Sequence, residues 1–387
     1  MRSHIGGRPA SLPLLIPGKP SCAITANPLP LSFTLSMKRT PLLALSLFWA
    51  ANMAFAQQPP TRLWYDKPAT CLEESLPIGN GKLGALVYGN PNDDAIHLYD
   101  LTFWTGMPVD STMDANAHEW IPKTRKALFA ENYPLADSLQ KHVQEPNSQF
   151  HHPLGTLRVR DLSQAPCENY HRELDLDSSL VKINYQKDGI RYTREYFASY
   201  PDKLIALRIK ADKPGGINCE ISLTAQVPHS VKASQAQLTL TGHAVGDPKE
   251  SIHYCGIVRT FFEGGHMSVS GSTLTLRGAN TLTLYFINET SFNGYDKHPV
   301  KEGARYLEKA MDEAWHVQND SYENFRERHI ADYRRHYDRL RLHLEETGEN
   351  TDLPTDKRLK EYTDKNANDT YLETQIVGLK PGVNKIH

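Results

Sequence analysis

Apolar and polar residues alternate with period two along much of the chain between about residues 62 and 290. Leu83, Ala85 and Val87 alternate after a glycine-rich turn, and Val181, Ile183 and Tyr185 do so before Lys187-Asp188-Gly189. Ile205, Leu207 and Ile209 follow Pro201-Asp202 and stop at Pro214-Gly215-Gly216. Leu274 and Leu276 are separated by Arg277-Gly278-Ala279-Asn280 from Leu282, Leu284 and Phe286. Successive strand side chains point to opposite faces, so this pattern predicts short antiparallel strands with one buried and one wet face. Over so long a stretch it predicts a large sandwich. One helical interruption is predicted at about 117–142, where Ile121, Arg125, Leu128 and Phe129 fall at helical spacing.

The period changes near residue 300. Ala304, Leu307, Met311, Ala314 and Trp315 lie at helical spacing, as do Tyr322, Phe325, His329, Tyr333, His336 and Tyr337, with Asn319-Asp320-Ser321 between them as cap residues. Two helices after a sheet domain read as a connector, or as the start of a helical domain. Their apolar stripe (Leu307, Met311, Trp315, Phe325, Tyr333, Tyr337) is larger than a wet linker needs, which predicts helices poorly anchored without a further partner. Arg334, Arg335, Arg339 and Arg341 form a basic stripe, but Asp332, Asp338 and Glu345 are interleaved, the mark of a solvated helix face.

Charge adds a leader to this picture. The 387 residues carry 43 Lys+Arg against 45 Asp+Glu, and 39% are hydrophobic, a globular composition. The first 56 residues hold Arg2, Arg8, Lys19, Lys38 and Arg39 and no acid; the remainder is mildly acidic, which argues against sequence-independent nucleic-acid binding. From Met37, Met-Lys-Arg-Thr precedes an uncharged run Pro41–Ala51 and then Ala54-Phe55-Ala56. A basic n-region, a short apolar h-region and an A-x-A site are the layout of a secretory signal peptide. The run is too short for the roughly 20 residues of a membrane span, and no later stretch is longer. The expectation is an exported protein, periplasmic or extracellular, with a signal peptide at 37–56, a mature start at Gln57, and residues 1–36 as a non-native upstream extension. Cys22 is lost with that leader. Of Cys71, Cys167, Cys219 and Cys255, no two have C-x-x-C spacing, and Cys219 sits in an alternating apolar run as a small buried hydrophobe.

Candidate chemistry is sparse. Gly79-Asn80-Gly81-Lys82-Leu83-Gly84 matches G-x-G-x-x-G, but a strand pattern follows where a dinucleotide site needs a helix, so a turn between strands is expected. His151-His152-Pro153 lacks a third ligand at diagnostic spacing and reads as a loop or sheet-edge pair. No G-x-S-x-G elbow or P-loop occurs, and no spacing singles out a catalytic carboxylate pair. Asn288-Glu-Thr290, Asn319-Asp-Ser321 and Asn368-Asp-Thr370 are glycosylation sequons. No cofactor and no metal is expected.

The segment Leu63-Trp64-Tyr65-Asp66-Lys67-Pro68-Ala69, followed by Glu73–Gly84, resembles the start of glycoside hydrolase family 95, the α-L-fucosidase family, which also includes α-L-galactosidases. Ordered stretches continue the likeness: Leu98–Gly106, His152–Leu157, Tyr170–Leu176, Tyr192–Phe197, Ser199–Asp202, His329–Tyr333 and Leu353-Pro-Thr-Asp356-Lys-Arg-Leu359. It covers roughly residues 62–377. The resemblance implies a mainly β fold, with a large antiparallel β-super-sandwich at 57–298, a helical linker at 299–345, and the start of a catalytic (α/α)6 barrel at 346–387. It implies an inverting glycosidase acting on fucosylated glycans or plant or host oligosaccharides. The family's catalytic residues lie on the barrel, so no catalytic residue can be carried onto a position here. Gly378, Pro381 and Gly382 break any helix after Glu373, so the barrel is expected to be essentially absent and this chain alone inactive. The alternative is a free-standing sandwich that binds carbohydrate through aromatics such as Trp64, Trp104 and Trp120.

Overall fold

The computed structural model describes residues 61–106, 116–144, 149–163, 165–340, 352–365 and 369–373. The signal peptide, Cys22, Arg341, Glu345, Asn368 and the Gly378–His387 tail lie outside the described residues. Strands run in chain order as β1 Arg62–Tyr65, β2 Leu76–Gly79, β3 Leu83–Val87, β4 Asp93–Asp100, β5 Gly155–Asp161, β6 Glu168–Asp175, β7 Leu180–Lys187 and β8 Ile190–Ser199. They continue as β9 Leu204–Ala211, β10 Ile217–Thr224, β11 His229–Ser234, β12 Gln237–His243, β13 His253–Glu263, β14 His266–Ser270, β15 Thr273–Ala279 and β16 Thr281–Thr290. The helices are α1 Trp120–Phe129, α2 Tyr133–Gln140, α3 Tyr306–His316, α4 Tyr322–Tyr337 and α5 Thr355–Asp364.

The strands form a sandwich of two sheets: nine strands in the order β1-β6-β7-β8-β9-β16-β13-β12-β11 and seven in the order β14-β15-β10-β5-β4-β3-β2. Neighbours are antiparallel, for example β13 and β16, paired from Tyr254↔Thr290 to Glu263↔Thr281. The predicted turns fall where expected. Asp188 and Gly189 both take positive φ (51° and 68°) between β7 and β8, the pair of conformations that a tight hairpin turn demands. The stretch at 277–280 does something else: β15 and β16 belong to different sheets, and the single residue Asn280 carries the chain across.

Two buried layers result. One fills the space between the sheets, with Val181, Ile183, Ile209, Ile221, Leu240, Leu274 and Phe286 among its members. The other lies on the outer face of the larger sheet, where Leu180, Phe197, Leu204, Ala206, Cys255, Ile257, Tyr285 and Ile287 meet Ala310, Ala314, Val317, Tyr322 and Phe325. This corrects the expectation of one wet face for the central strands. β16 is buried at every position from Thr281 to Asn288, because α3 and α4 cover the face that would otherwise meet water. Its signal was legible: Leu204-Ile205-Ala206-Leu207 and Tyr285-Phe286-Ile287 are continuous apolar runs, the mark of strands covered on both sides.

The single predicted interruption is two helices, α1 and α2. Glu131 takes a positive φ of 56° between them, and the Asn132 side chain caps α2 by accepting from the Leu135 N–H at 3.2 Å. They bury alanines, Ala127 and Ala136, and leave Phe129 88% exposed, so the predicted stripe is not their packed face.

Poor anchoring after residue 300 is corrected for α4. Ser321 caps it by accepting from the Asn324 N–H at 3.1 Å, as its position predicts. Tyr322, Phe325, His329, Tyr333 and Tyr337 are all buried. The Tyr333 hydroxyl donates to the Leu176 carbonyl at 2.6 Å, and His329 Nε2 lies 3.1 Å from the Ser179 carbonyl. Cys71, Cys167, Cys219 and Cys255 are free, and Cys219 is buried as its place in an apolar run predicts. Among the described residues, no helix is long and apolar enough to cross a membrane.

Candidate functional site

Gly79–Gly84 forms the hairpin turn between β2 and β3. Gly81 takes a φ of 89°, which only glycine adopts freely. The buried Asn80 ties the turn down: its amide donates to the Ser199 carbonyl at 2.8 Å, and its oxygen accepts from the Leu83 N–H at 2.7 Å. The glycines serve that turn, and a strand follows them, which leaves no helix N-terminus for a pyrophosphate.

The carboxylates nearest to a chemical arrangement are engaged structurally. Asp94 is buried in the inter-sheet core, where it accepts from the Gly89 N–H at 2.8 Å, from Arg194 at 3.2 Å and from the Tyr196 hydroxyl. Burial works against the Arg194 charge, but Tyr185, Tyr196 and Asp94 around it hold the guanidinium protonated. Asp100 is equally buried and accepts from the Thr102 hydroxyl at 2.6 Å and the Asn288 amide at 2.8 Å. That bond joins the end of β4 to β16 across the two sheets. It also places the Asn288 sequon inside the fold, where it cannot be glycosylated.

Glu195 and Glu323 line one recess of about 400 Å³ beside α4. Glu195 accepts from the Tyr322 hydroxyl at 2.8 Å and from Arg326 at 2.7 Å, while Glu323 pairs with Arg208. Burial pushes the Glu323 carboxyl up, but Arg208 outweighs it and holds the group below its ordinary range. A glycosidase acid needs the opposite shift. This pair is built for docking a helix.

His151 and His152 diverge. His151 pairs with Trp104 in an isolated bridge, and its Nε2 lies 3.0 Å from the Asp100 carbonyl. His152 is buried against Phe103 and Phe150, where burial lowers its affinity for a proton. Among the described residues no group of three His, Cys, Asp or Glu side chains is placed to hold a metal.

The three tryptophans also separate. Trp64 stacks on His171 at 5.2 Å, and Trp120 stacks on His142 at 4.0 Å with Lys123 over its ring. Trp104 instead lines a cavity of about 720 Å³ together with Phe292 and Tyr295. A loop, Ser291–Ala304, forms one side of this half-open cavity. The Ala304 N–H donates to the Ser291 carbonyl at 2.9 Å and brings the loop ends together, and the Asn293 amide donates to the Glu302 carbonyl at 2.8 Å. A compact loop with joined ends is a common carrier of function. It lacks hydrophobic periodicity, so the sequence pattern does not reveal it.

A second built region lies at the sandwich edge, where β1 receives α5. The Trp64 N–H donates to Thr355 Oγ1 at 2.9 Å; Lys67 pairs with Asp356 at 3.1 Å and Lys357 with Asp66 at 2.6 Å. Arg358 is buried, grips Asp369 with Nε at 2.7 Å and Nη2 at 2.5 Å, and lies 4.3 Å over the Tyr371 ring. Behind β1, the buried Arg172 stacks 4.0 Å over Tyr65 and donates to the Lys67 carbonyl at 2.8 Å and the Glu74 carbonyl at 2.7 Å. The Leu353–Leu359 motif is therefore a docking motif: its threonine, aspartate and lysine bind the sandwich edge, and its arginine holds the following turn.

Comparison with known proteins follows this division. Residues 63–295 match the family described as "Glycosyl hydrolase family 65, N-terminal domain", and residues 321–378 match "Glycosyl hydrolase family 95 catalytic domain". The chain is 28% identical over 313 residues to "Alpha-L-fucosidase 2" of Arabidopsis thaliana, covering 74% of this chain and 37% of that protein. It is 24% identical to "Probable alpha-fucosidase A" of Aspergillus niger, covering 81% of this chain and 41% of that protein. The protein of the same name from Aspergillus oryzae is 22% identical, with 80% and 45% covered. The chain thus spans about two fifths of the length of these relatives.

Proposed function

Because the chain belongs, over residues 63–295, to the glycosyl hydrolase family 65 N-terminal domain family and continues into a family 95 catalytic-domain match, we propose that it is the sandwich-bearing part of an α-L-fucosidase-type glycoside hydrolase. In the whole enzyme the reaction is hydrolysis of terminal α-L-fucosyl, or related α-L-galactosyl, residues by inversion. That chemistry needs an acid and a base about 6.5–9.5 Å apart, with water admitted between base and sugar. The observation that carries the reading is the β1–α5 junction. Residues of the family 95 match, Thr355, Asp356 and Lys357, are fitted to the sandwich edge by specific polar bonds, an arrangement suited to presenting a catalytic domain at a fixed angle.

The 387-residue chain by itself is expected to be inactive, since the buried or ion-paired carboxylates Asp94, Asp100, Glu195 and Glu323 are committed to structure. The signal-like layout at 37–56 supports export to the periplasm or the outside of the cell, where fucosylated glycans are met. The test is release of L-fucose from an α-1,2-fucosylated oligosaccharide by this chain, beside a full-length relative as control. No release by the chain is expected. Turnover abolished by Glu195→Gln at an unchanged melting temperature would overturn the reading.

A further inference from the structure

We propose that the cavity beside the Ser291–Ala304 loop is a binding site for a neutral pyranose sugar. The cavity, about 720 Å³, falls within the roughly 300–1,000 Å³ of small-molecule sites. Three large aromatic side chains lining the cavity, Trp104 from one wall and Phe292 and Tyr295 from the loop opposite, are the first sign. Trp104 is 38% exposed, Phe292 40% and Tyr295 87%, although large aromatics of this size are normally buried in a fold with so ample a core.

The second sign is rigidity. The Trp104 indole N–H donates to the Leu101 carbonyl at 2.7 Å, and its ring stands edge-on to His151 at 5.5 Å. His151 in turn is fixed on the Asp100 carbonyl. Asp100 and Thr102 bond to Asn288 and Thr290 of β16, so the Trp104 corner is anchored to both sheets. The opposite wall is held by the stitched loop: His298 Nδ1 accepts from the Val300 and Lys301 N–H groups, both at 3.2 Å. Gly303 passes so close to the Pro299 carbonyl that a Cβ there would sit 2.1 Å from its oxygen. Such closure fixes the loop backbone that carries Tyr295 and Asp296, which lowers the ordering cost of binding.

The third sign is the polar complement. Asp296 and Lys297 line the cavity, and Lys297 is held only loosely, 3.8 Å from both Asp296 and Glu302. One acid and one base balance in charge, which disfavours a phosphate or a polyanion. They also offer hydrogen bonds that an apolar ligand would leave unmade. A pyranose ring meets both demands: its C–H face lies on an aromatic ring, and its hydroxyl edge reaches the carboxylate and the ammonium group. The site stands on this geometry, and only the choice of probes rests on the glycan reading proposed above.

The test is titration of the 387-residue chain with lactose, maltose and 2′-fucosyllactose, followed by calorimetry and tryptophan fluorescence. Saturable binding of at least one of them at about millimolar Kd is expected. Tyr295 is so exposed that its loss leaves the fold intact, and Tyr295→Ala should raise that Kd roughly tenfold, about 1.4 kcal/mol. Trp104→Ala should abolish the fluorescence response, while Trp120→Ala leaves the Kd unchanged. The proposal is overturned by an absence of saturable binding up to roughly 20 mM of every sugar. It is also overturned if the Kd is indifferent to both Tyr295→Ala and Trp104→Ala, or if inorganic phosphate competes for the cavity. Binding needs no hydrolysis, so a chain inactive on fucosides can still pass this test, and an active one can fail it.

Discussion

Helices α3 and α4 follow one another, both carry apolar residues at helical spacing, and both lie on the outer face of the nine-stranded sheet. They are held in different ways. α3 places two alanines, Ala310 and Ala314, against β13 and β16, and turns Leu307, Met311 and Trp315 outward. α4 buries its large side chains and ties their polar ends to the sheet: Tyr322 to Glu195, His329 to the Ser178 and Ser179 carbonyls, and Tyr333 to the Leu176 carbonyl. Small residues let one helix approach the sheet closely, and large amphipathic rings anchor the other. The apolar stripe of a helix is thus not always its packed face.

The largest effect that separates them is in α4. Phe325 is buried and meets the Tyr285 ring edge-on at 5.2 Å. Phe325→Ala should destabilise the protein by about 3–5 kcal/mol, through lost transfer energy and the cavity left behind. Urea unfolding at constant m-value measures it, and a loss below about 1 kcal/mol would mean that α4 is as dispensable as the outer side of α3.

The pattern of the chain made much of this legible and left specific parts hidden. Strands such as β3 and β7 were readable because one face of each meets a core, so period two survives in their sequence. The helices after 300 were readable by spacing, but which face packs was not. Ala310 and Ala314 are weak hydrophobes, and the burial of His329 depends on carbonyls of the β6–β7 turn, far away in sequence. The family likeness pointed to Leu353–Leu359, yet its task, capping the Trp64 N–H and pairing with Asp66 and Lys67, arises only when the β1 edge is in place. The same holds for the aromatics. Trp64, Trp104 and Trp120 were equal candidates, and only the loop that joins Ser291 to Ala304 sets Trp104 apart.

A smaller effect follows from His329. Burial is the main influence on its imidazole and holds its proton affinity below the ordinary value; the Ser179, Ser178 and Ala198 carbonyls and Asp332 offset part of this. The native state therefore keeps the ring neutral where the unfolded chain, with a pKa of about 6.5, begins to bind a proton. With more protons on the unfolded state, stability falls as pH drops below about 6.5, by at most about 1.4 kcal/mol per pH unit until the native ring also titrates. His329→Gln should flatten that slope between about pH 6.5 and 5, measured by denaturant titration at each pH. An unchanged slope would show that the anchoring of α4 does not depend on a neutral ring.

The smallest effect belongs to α3. Trp315 is 62% exposed, and among the described residues its ring makes no aromatic stacking contact. Surface substitutions of this kind usually change stability by less than about 0.5 kcal/mol, and Trp315→Ser should fall within that range. Serine lowers helix propensity by only about half a kcal/mol relative to the best formers, so the backbone adds little. Removing an exposed indole also reduces the outward apolar stripe with Leu307 and Met311, and the variant should self-associate less at high concentration, as seen by light scattering. Thermal melting and scattering together decide the comparison. If Trp315→Ser costs as much as Phe325→Ala, the outward stripe is a packed face after all, and the contrast between the two helices fails.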